Sequence, residues 1–203
     1  MRSFLAVLLP DDVRRGLDAA ATGLRRQAPA VAWVRADNLH LTLRFLGSVD
    51  ETTLGRAREA LEAAAEATTP FPVTLGGFGG FPGARAPRVV WAGVTVGAEA
   101  LIALHARLEA ALAARGIPSE GRPFHPHVTL GRARSPRGAP ELAGPLGPGG
   151  GGAAEVIGEL VVDAVHLMRS DLAPGGARYG VLARSALRGT PARRGAPAPD
   201  AAV

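Results

Sequence analysis

Residues 38–47 read Asn-Leu-His-Leu-Thr-Leu-Arg-Phe-Leu-Gly, and residues 126–132 read Pro-His-Val-Thr-Leu-Gly-Arg. Both contain one tetrapeptide frame, His40-Leu41-Thr42-Leu43 in the first and His127-Val128-Thr129-Leu130 in the second. Given this chain's Thr and Leu content, a chance repeat of His-x-Thr-Leu has a probability on the order of 4 in 10,000. The frame therefore reads as a duplicated site. In the first stretch Leu39, Leu41, Leu43 and Phe45 alternate with His40, Thr42 and Arg44, the period of two that marks a strand with one polar face. Each histidine projects from the same face as the threonine two residues on, about 6.5 to 7 Å away along the strand. Two such strands facing each other would converge two imidazoles and two hydroxyls on one cleft.

Outward from these strands, Phe4 to Leu9 reads as a strand, and Pro10, Asp11 and Asp12 open a helix. Val13, Leu17, Ala20, Ala21 and Leu24 carry that helix over residues 11–27, to a stop at Pro29. Val31 to Val34 is a further strand; Asp50 and Glu51 start a helix that runs to about Ala67. Phe71 to Leu75 and Arg88 to Val96 read as strands flanking a Gly-Pro loop from Gly76 to Pro87. The alanine-rich residues 98–114 form a helix stopped by Gly116 and Pro118. Ser135 to Ala154, with Gly149 to Gly152, reads as a flexible surface loop. Strands follow at Glu155 to Met168 and Arg178 to Arg184, and residues 186–203 read as a disordered Arg/Pro/Ala tail. The class is α+β with antiparallel sheets, in one domain over residues 1–185.

At 203 residues and 47% hydrophobic, the chain is long enough to bury a core without staples. It has no cysteine, which excludes disulfide frameworks, thiolate metal sites and cysteine nucleophiles. All 23 basic residues are arginine, so the high pI of about 11.2 reflects a missing lysine and cysteine titration range more than a large charge; the net charge is only +5. That balance permits a phosphate-bearing ligand without requiring nucleic acid. No run approaches the roughly 18 apolar residues of a membrane span, and a cytoplasmic location is expected.

The sequence resembles the 2H phosphoesterase family, and within it the bacterial and archaeal RNA 2′,3′-cyclic phosphodiesterases, also called 2′-5′ RNA ligases. Beyond the two tetrapeptides, the resemblance covers Arg2 to Pro10, Gly79-Gly80-Phe81-Pro82 with Pro87-Arg88-Val89-Val90-Trp91, and Leu167 to Leu172 through Gly176 to Tyr179. It implies a bilobal fold with pseudo-two-fold, duplicated antiparallel sheets, helices outside and the active site in a central groove. It further implies hydrolysis of RNA or oligonucleotide 2′,3′-cyclic phosphate ends to 2′-phosphomonoesters, without metal or cofactor. The same site run in reverse would ligate RNA 2′-5′, and a silent RNA-end binder is a third reading. Such a cyclic ester opens when one base activates water and one acid protonates the departing ribose oxygen, and histidine can serve as either near neutral pH. His40 is assigned as the acid and His127 as the base, although symmetry makes the roles exchangeable. Thr42 and Thr129 are expected to donate to the phosphate oxygens. The family places an arginine after the second motif and an aromatic after the first, matched by Arg132 and Phe45, for phosphate charge and nucleoside contact respectively. Both lie five residues past their histidines, an odd offset that strict alternation turns away from the histidine face unless the strand bends or has ended.

His125-Pro126-His127 has metal-ligand spacing, but no carboxylate is near in sequence and Pro126 steers His125 to a loop entry, so no metal is assigned. His105 and His166 read as structural. Arg122, Arg134 and Arg137 join Arg132 as residues that could steer an RNA end or simply line a solvated loop. Trp33 and Trp91 fit either the core or a base-stacking platform. Gly79 to Gly83 reads as a turn, since the lysine and helix of a phosphate-binding loop are missing. The expected partner is an RNA end; a monomer without an obligate protein partner is expected.

Overall fold

A computed structural model describes residues 1–147, 155–173 and 176–189. The chain begins with β1 (Arg2–Leu8), α1 (Asp11–Ala20), α2 (Thr22–Gln27), β2 (Val31–Trp33), β3 (His40–Ser48) and α3 (Glu51–Glu66). It continues with β4 (Phe71–Phe81), β5 (Val89–Val96), α4 (Ala98–Ala113), β6 (His127–Ala133) and α5 (Ala143–Leu146). β7 (Val156–Val162), β8 (Ala164–Ala173) and β9 (Gly176–Ala186) complete it.

The strands form one antiparallel sheet in the order β7-β4-β5-β6-β3-β1-β8-β9, with β2 pairing on β6. The histidine strands β6 and β3 lie at the middle. They pair at a single position, Leu41 with Val128. Outward from this seam each half carries three more strands, so the expected duplicated antiparallel halves are present, joined at the seam into one sheet. Alternation explains the seam: Leu41 and Val128 point into the core while His40, Thr42, His127 and Thr129 face the other way.

Helices cover the core side. Leu54, Ala57, Leu61 and Ala64 recur at helical spacing on α3, which lies on β8 and β9 and against α4. Asp50 caps α3 by accepting from the Thr53 N–H at 2.8 Å. Val13 and Leu17 seat α1 on β7 in the opposite half. One apolar cluster takes in Leu5, Leu75, Leu104, Leu108, Leu130 and Leu167, so both halves share a core.

Several expectations are corrected. The helix over residues 11–27 is two helices with a break at Ala21. β4 does not stop at Leu75 but runs to Phe81, and the turn is only residues 82–88. Its glycines are there for space: a Cβ on Gly79 would come within 2.2 Å of the Trp91 indole, which lies across that strand. The strand read over Glu155 to Met168 breaks at Asp163, where the chain crosses from one half to the other as β7 gives way to β8. In the span read as a flexible loop, Pro140–Leu142 and Ala143–Leu146 are helical, and Ala139, Leu142 and Leu146 fill a second core cluster with Leu24, Val31 and Val90. Residues 148–154 of that span lie outside the described residues. The first residues of the expected tail are packed, since Leu187 is buried and the Arg188 and Gly189 N–H groups bond to the Ala65 and Thr68 carbonyls; residues 190–203 lie outside the described residues.

Candidate active site

His40 and His127 open their strands in the same way. The Nδ1 of His40 lies 2.8 Å from the Asn38 carbonyl, and that of His127 lies 2.6 Å from the His125 carbonyl, in each case two residues back. A carbonyl can only accept, so Nδ1 carries the proton in both rings and Nε2 is left for chemistry. Thr42 Oγ1 is 2.9 Å from His40 Nε2, within hydrogen-bond reach. The hydroxyl donates to a neutral ring and accepts from a protonated one.

The odd offset of Phe45 and Arg132 is resolved by two matching β-bulges. In the β1–β3 ladder Ala6 pairs with Thr42 and Leu5 with Arg44, leaving Leu43 without a partner. In the β5–β6 ladder Trp91 pairs with Thr129 and Val90 with Gly131, leaving Leu130 without one. Each extra residue is the third after its histidine, and it reverses the alternation beyond it. Phe45 therefore returns to the face of His40 and Thr42, and Arg132 to that of His127 and Thr129.

A groove of about 330 Å³ results, lined by Thr42, Phe45, His127, Thr129 and Arg132, with Phe81 and His125 on its wall. Five of the six expected site residues line the groove, and His40 is tied to it by the Thr42 bond. Phe45 is 51% exposed in this groove, unusual for a phenylalanine that only packs. At one end of the groove His105, read as structural, stacks flat on Phe124 with ring centroids 4.3 Å apart. At the groove's edge Arg44 is buried and pairs with Glu109 and Glu120 at 2.9 Å each, bonding also to the Pro118 carbonyl at 2.6 Å. These bonds tie α4 and the segment before His127 to the first motif.

Sequence reasoning missed the aromatic walls. Phe4 and Tyr179 flank the His40 ring at 4.8 and 5.2 Å, and Phe81 and Trp91 flank that of His127 at 5.2 and 6.3 Å. They come from β1, β9, β4 and β5; Trp91 fits either the core or a stacking platform from sequence, whereas Phe4, Phe81 and Tyr179 are marked only by their place in the resembling stretches. Trp33, by contrast, belongs to the core and donates its indole N–H to the Ala28 carbonyl at 3.0 Å. His166 sits in β8 with Nδ1 buried, away from the groove. Arg122 reaches the groove and Arg134 an adjoining hollow.

Enclosure has an electrostatic result. Burial holds both catalytic candidates below the ordinary histidine value of 6.5; the carbonyl bonds from Asn38 and His125 oppose this, and the positive charge of Arg132 adds to the lowering of each. The same guanidinium acts on Tyr179, whose hydroxyl is raised by burial and pulled back down by Arg132 and Arg2. One arginine thus influences titratable groups on both halves of the groove.

Residues 9–174 match the family model described as the 2′-5′ RNA ligase superfamily. A Thermus thermophilus protein named RNA 2′,3′-cyclic phosphodiesterase is 36% identical over 209 aligned residues, covering 98% of this chain and 96% of its own. A Methanothermobacter thermautotrophicus protein of the same name is 34% identical, covering 88% of this chain and 95% of its own. Among solved structures, E. coli LigT complexed with 3′-AMP superposes with a TM-score of 0.72 at 32% identity, over 92% of this chain and 97% of that one. With the family model spanning both histidine strands and relatives aligning along nearly the full length, the chain belongs to the 2′-5′ RNA ligase superfamily.

Proposed function

We propose that this protein hydrolyses 2′,3′-cyclic phosphate ends of RNA or oligonucleotides to 2′-phosphomonoesters, using His127 as base and His40 as acid. The observation that carries the reading is the paired tautomer lock, which leaves two Nε2 atoms for a groove that also holds Thr42, Thr129 and Arg132. The neutral His127 Nε2 takes a proton from water as the water oxygen bonds to phosphorus. His40, protonated at both nitrogens, gives its Nε2 proton to the 3′ oxygen as the P–O3′ bond breaks. The non-bridging oxygens accept from the two threonine hydroxyls, and Arg132 offsets their charge. Phe45 offers its exposed ring to the terminal nucleoside. The name carried by the relatives supports hydrolysis over ligation as the working direction.

Incubating the purified protein with an oligonucleotide bearing a cyclic phosphate end in EDTA, then resolving termini against 2′- and 3′-phosphate standards, tests this. The 2′-phosphate is expected. A cyclic end that persists, or an activity removed by the chelator and restored by zinc, would reject it.

A further inference from the structure

We infer that the RNA leading up to the cyclic phosphate leaves the groove across a shelf formed by Arg88 and Arg134, which hold its upstream phosphates; this rests on the cyclic phosphodiesterase reading above. The shelf is a hollow of about 510 Å³ next to the groove, and the two share Phe81, Val89 and Arg132 as walls. Its other lining includes Arg88, Arg134, Ser135 and Pro136, with no carboxylate. Among the described residues, none of Arg88, Arg132 and Arg134 pairs with an acid, so three exposed guanidiniums line this hollow with uncompensated charge.

Other exits suit an anionic chain less well. Toward α4 the groove ends at Glu120, whose charge is committed to Arg44, beside the exposed Arg122. The hollow beyond Tyr179 holds Arg35 and Arg178 against one carboxylate, Asp37, which lies 3.9 Å from Arg35. Each therefore presents less net positive charge than the shelf, whose three arginines face no carboxylate.

The backbone that carries the shelf is tightly held, so binding has only its arginine side chains to order. The Ala133 N–H bonds to the Arg88 carbonyl and the Ala139 N–H to that of Pro87, both at 3.0 Å. Arg88 in turn donates its N–H to the Phe81 carbonyl at 2.7 Å. Gly138 lies so close to Ala86 that a Cβ would come within 2.4 Å of its carbonyl oxygen. The buried Ala139 and Leu142 pin the segment from behind.

The test compares a nucleoside 2′,3′-cyclic phosphate with a free 5′-hydroxyl, which has no upstream phosphate, against a trinucleotide with the same end. In the natural protein the trinucleotide should have the higher kcat/KM. In the double variant Arg88→Gln/Arg134→Gln that preference should shrink at least tenfold. Binding of a labelled trinucleotide ending in 2′-phosphate, followed against salt, gives a readout independent of turnover. Its log–log slope should become shallower by about 1.4, which is roughly 0.7 for each of two single-strand phosphates that the variant no longer neutralises. An unchanged preference together with an unchanged slope would overturn the shelf assignment while leaving the hydrolase reading intact. Failure to consume either substrate would instead reject the hydrolase reading, and the slope would still decide the shelf.

Discussion

His125 and His127 are two residues apart, yet they contribute by different atoms. His127 offers Nε2 to the groove, whereas the contribution of His125 to its neighbour is a backbone carbonyl that any residue would keep. His40→Ala and His127→Ala should each lower kcat at least about 100-fold, in line with the loss of a general acid or base, and His125→Ala should do little. Equal losses in all three would contradict the tautomer lock. Charge gives a second prediction. Since both histidines titrate below 6.5, kcat/KM, which reports the free enzyme, should peak on the acid side of that value and fall as the acid loses its proton. Arg132 lowers both groups, so Arg132→Gln should move both limbs of the profile to higher pH as well as weakening activity. A weaker enzyme with an unmoved profile would mean that Arg132 does not act on the histidines.

Elements decide where these residues point. Replacing Gly79 by alanine would force the Trp91 ring off β4, and the overpacking should cost about 1–3 kcal/mol, visible in chemical denaturation. An unchanged midpoint would show that Trp91 is not held there. The same strand illustrates what the sequence can and cannot disclose. The histidine strands were legible because apolar and polar residues alternate through Leu39 to Arg44 and each frame recurs whole. β4 was misjudged beyond Leu75 because four glycines between Gly76 and Gly80 carry no periodicity, and their reason lies in a tryptophan on the next strand. The bulges were invisible: Leu43 and Leu130 are apolar like the core residues before them, and nothing in their chemistry says that they lack a partner. Phe4 and Tyr179 reach His40 from opposite ends of the chain, a proximity that no local pattern encodes.

For the whole molecule, the shared core and the crossing at Asp163 make the halves interdependent. β8 and β9 complete the half begun by β1 and β3, while residues between them build the other. Unfolding should therefore be a single cooperative transition by circular dichroism and by tryptophan fluorescence, and separate transitions would argue against a common core. Acid should weaken that fold. His40, His105, His127 and His166 are all held below 6.5, chiefly by burial. The unfolded chain therefore binds more protons than the folded one just below that value, so stability is full above 6.5 and declines as pH falls through it. Asp50, held below its ordinary 3.8 by Thr53, adds its own loss only further down. The melting temperature should accordingly be lower at pH 5 than at pH 7.5, and a higher one would contradict the burial of these rings. Catalysis and stability thus pull on the same imidazoles in opposite directions, because the acid role needs a proton that the fold disfavours.

The paired bulges also bear on how this site can be damaged. A bulge is a matter of chain length, not of residue identity, so a point substitution at Leu43 or Leu130 leaves the five-residue offset in place. Losing one residue between His127 and Arg132 would send the guanidinium to the opposite side of the sheet with every groove residue still present in the sequence. Within these two strands, insertions and deletions are the dangerous variants, and a motif search would pass them as intact.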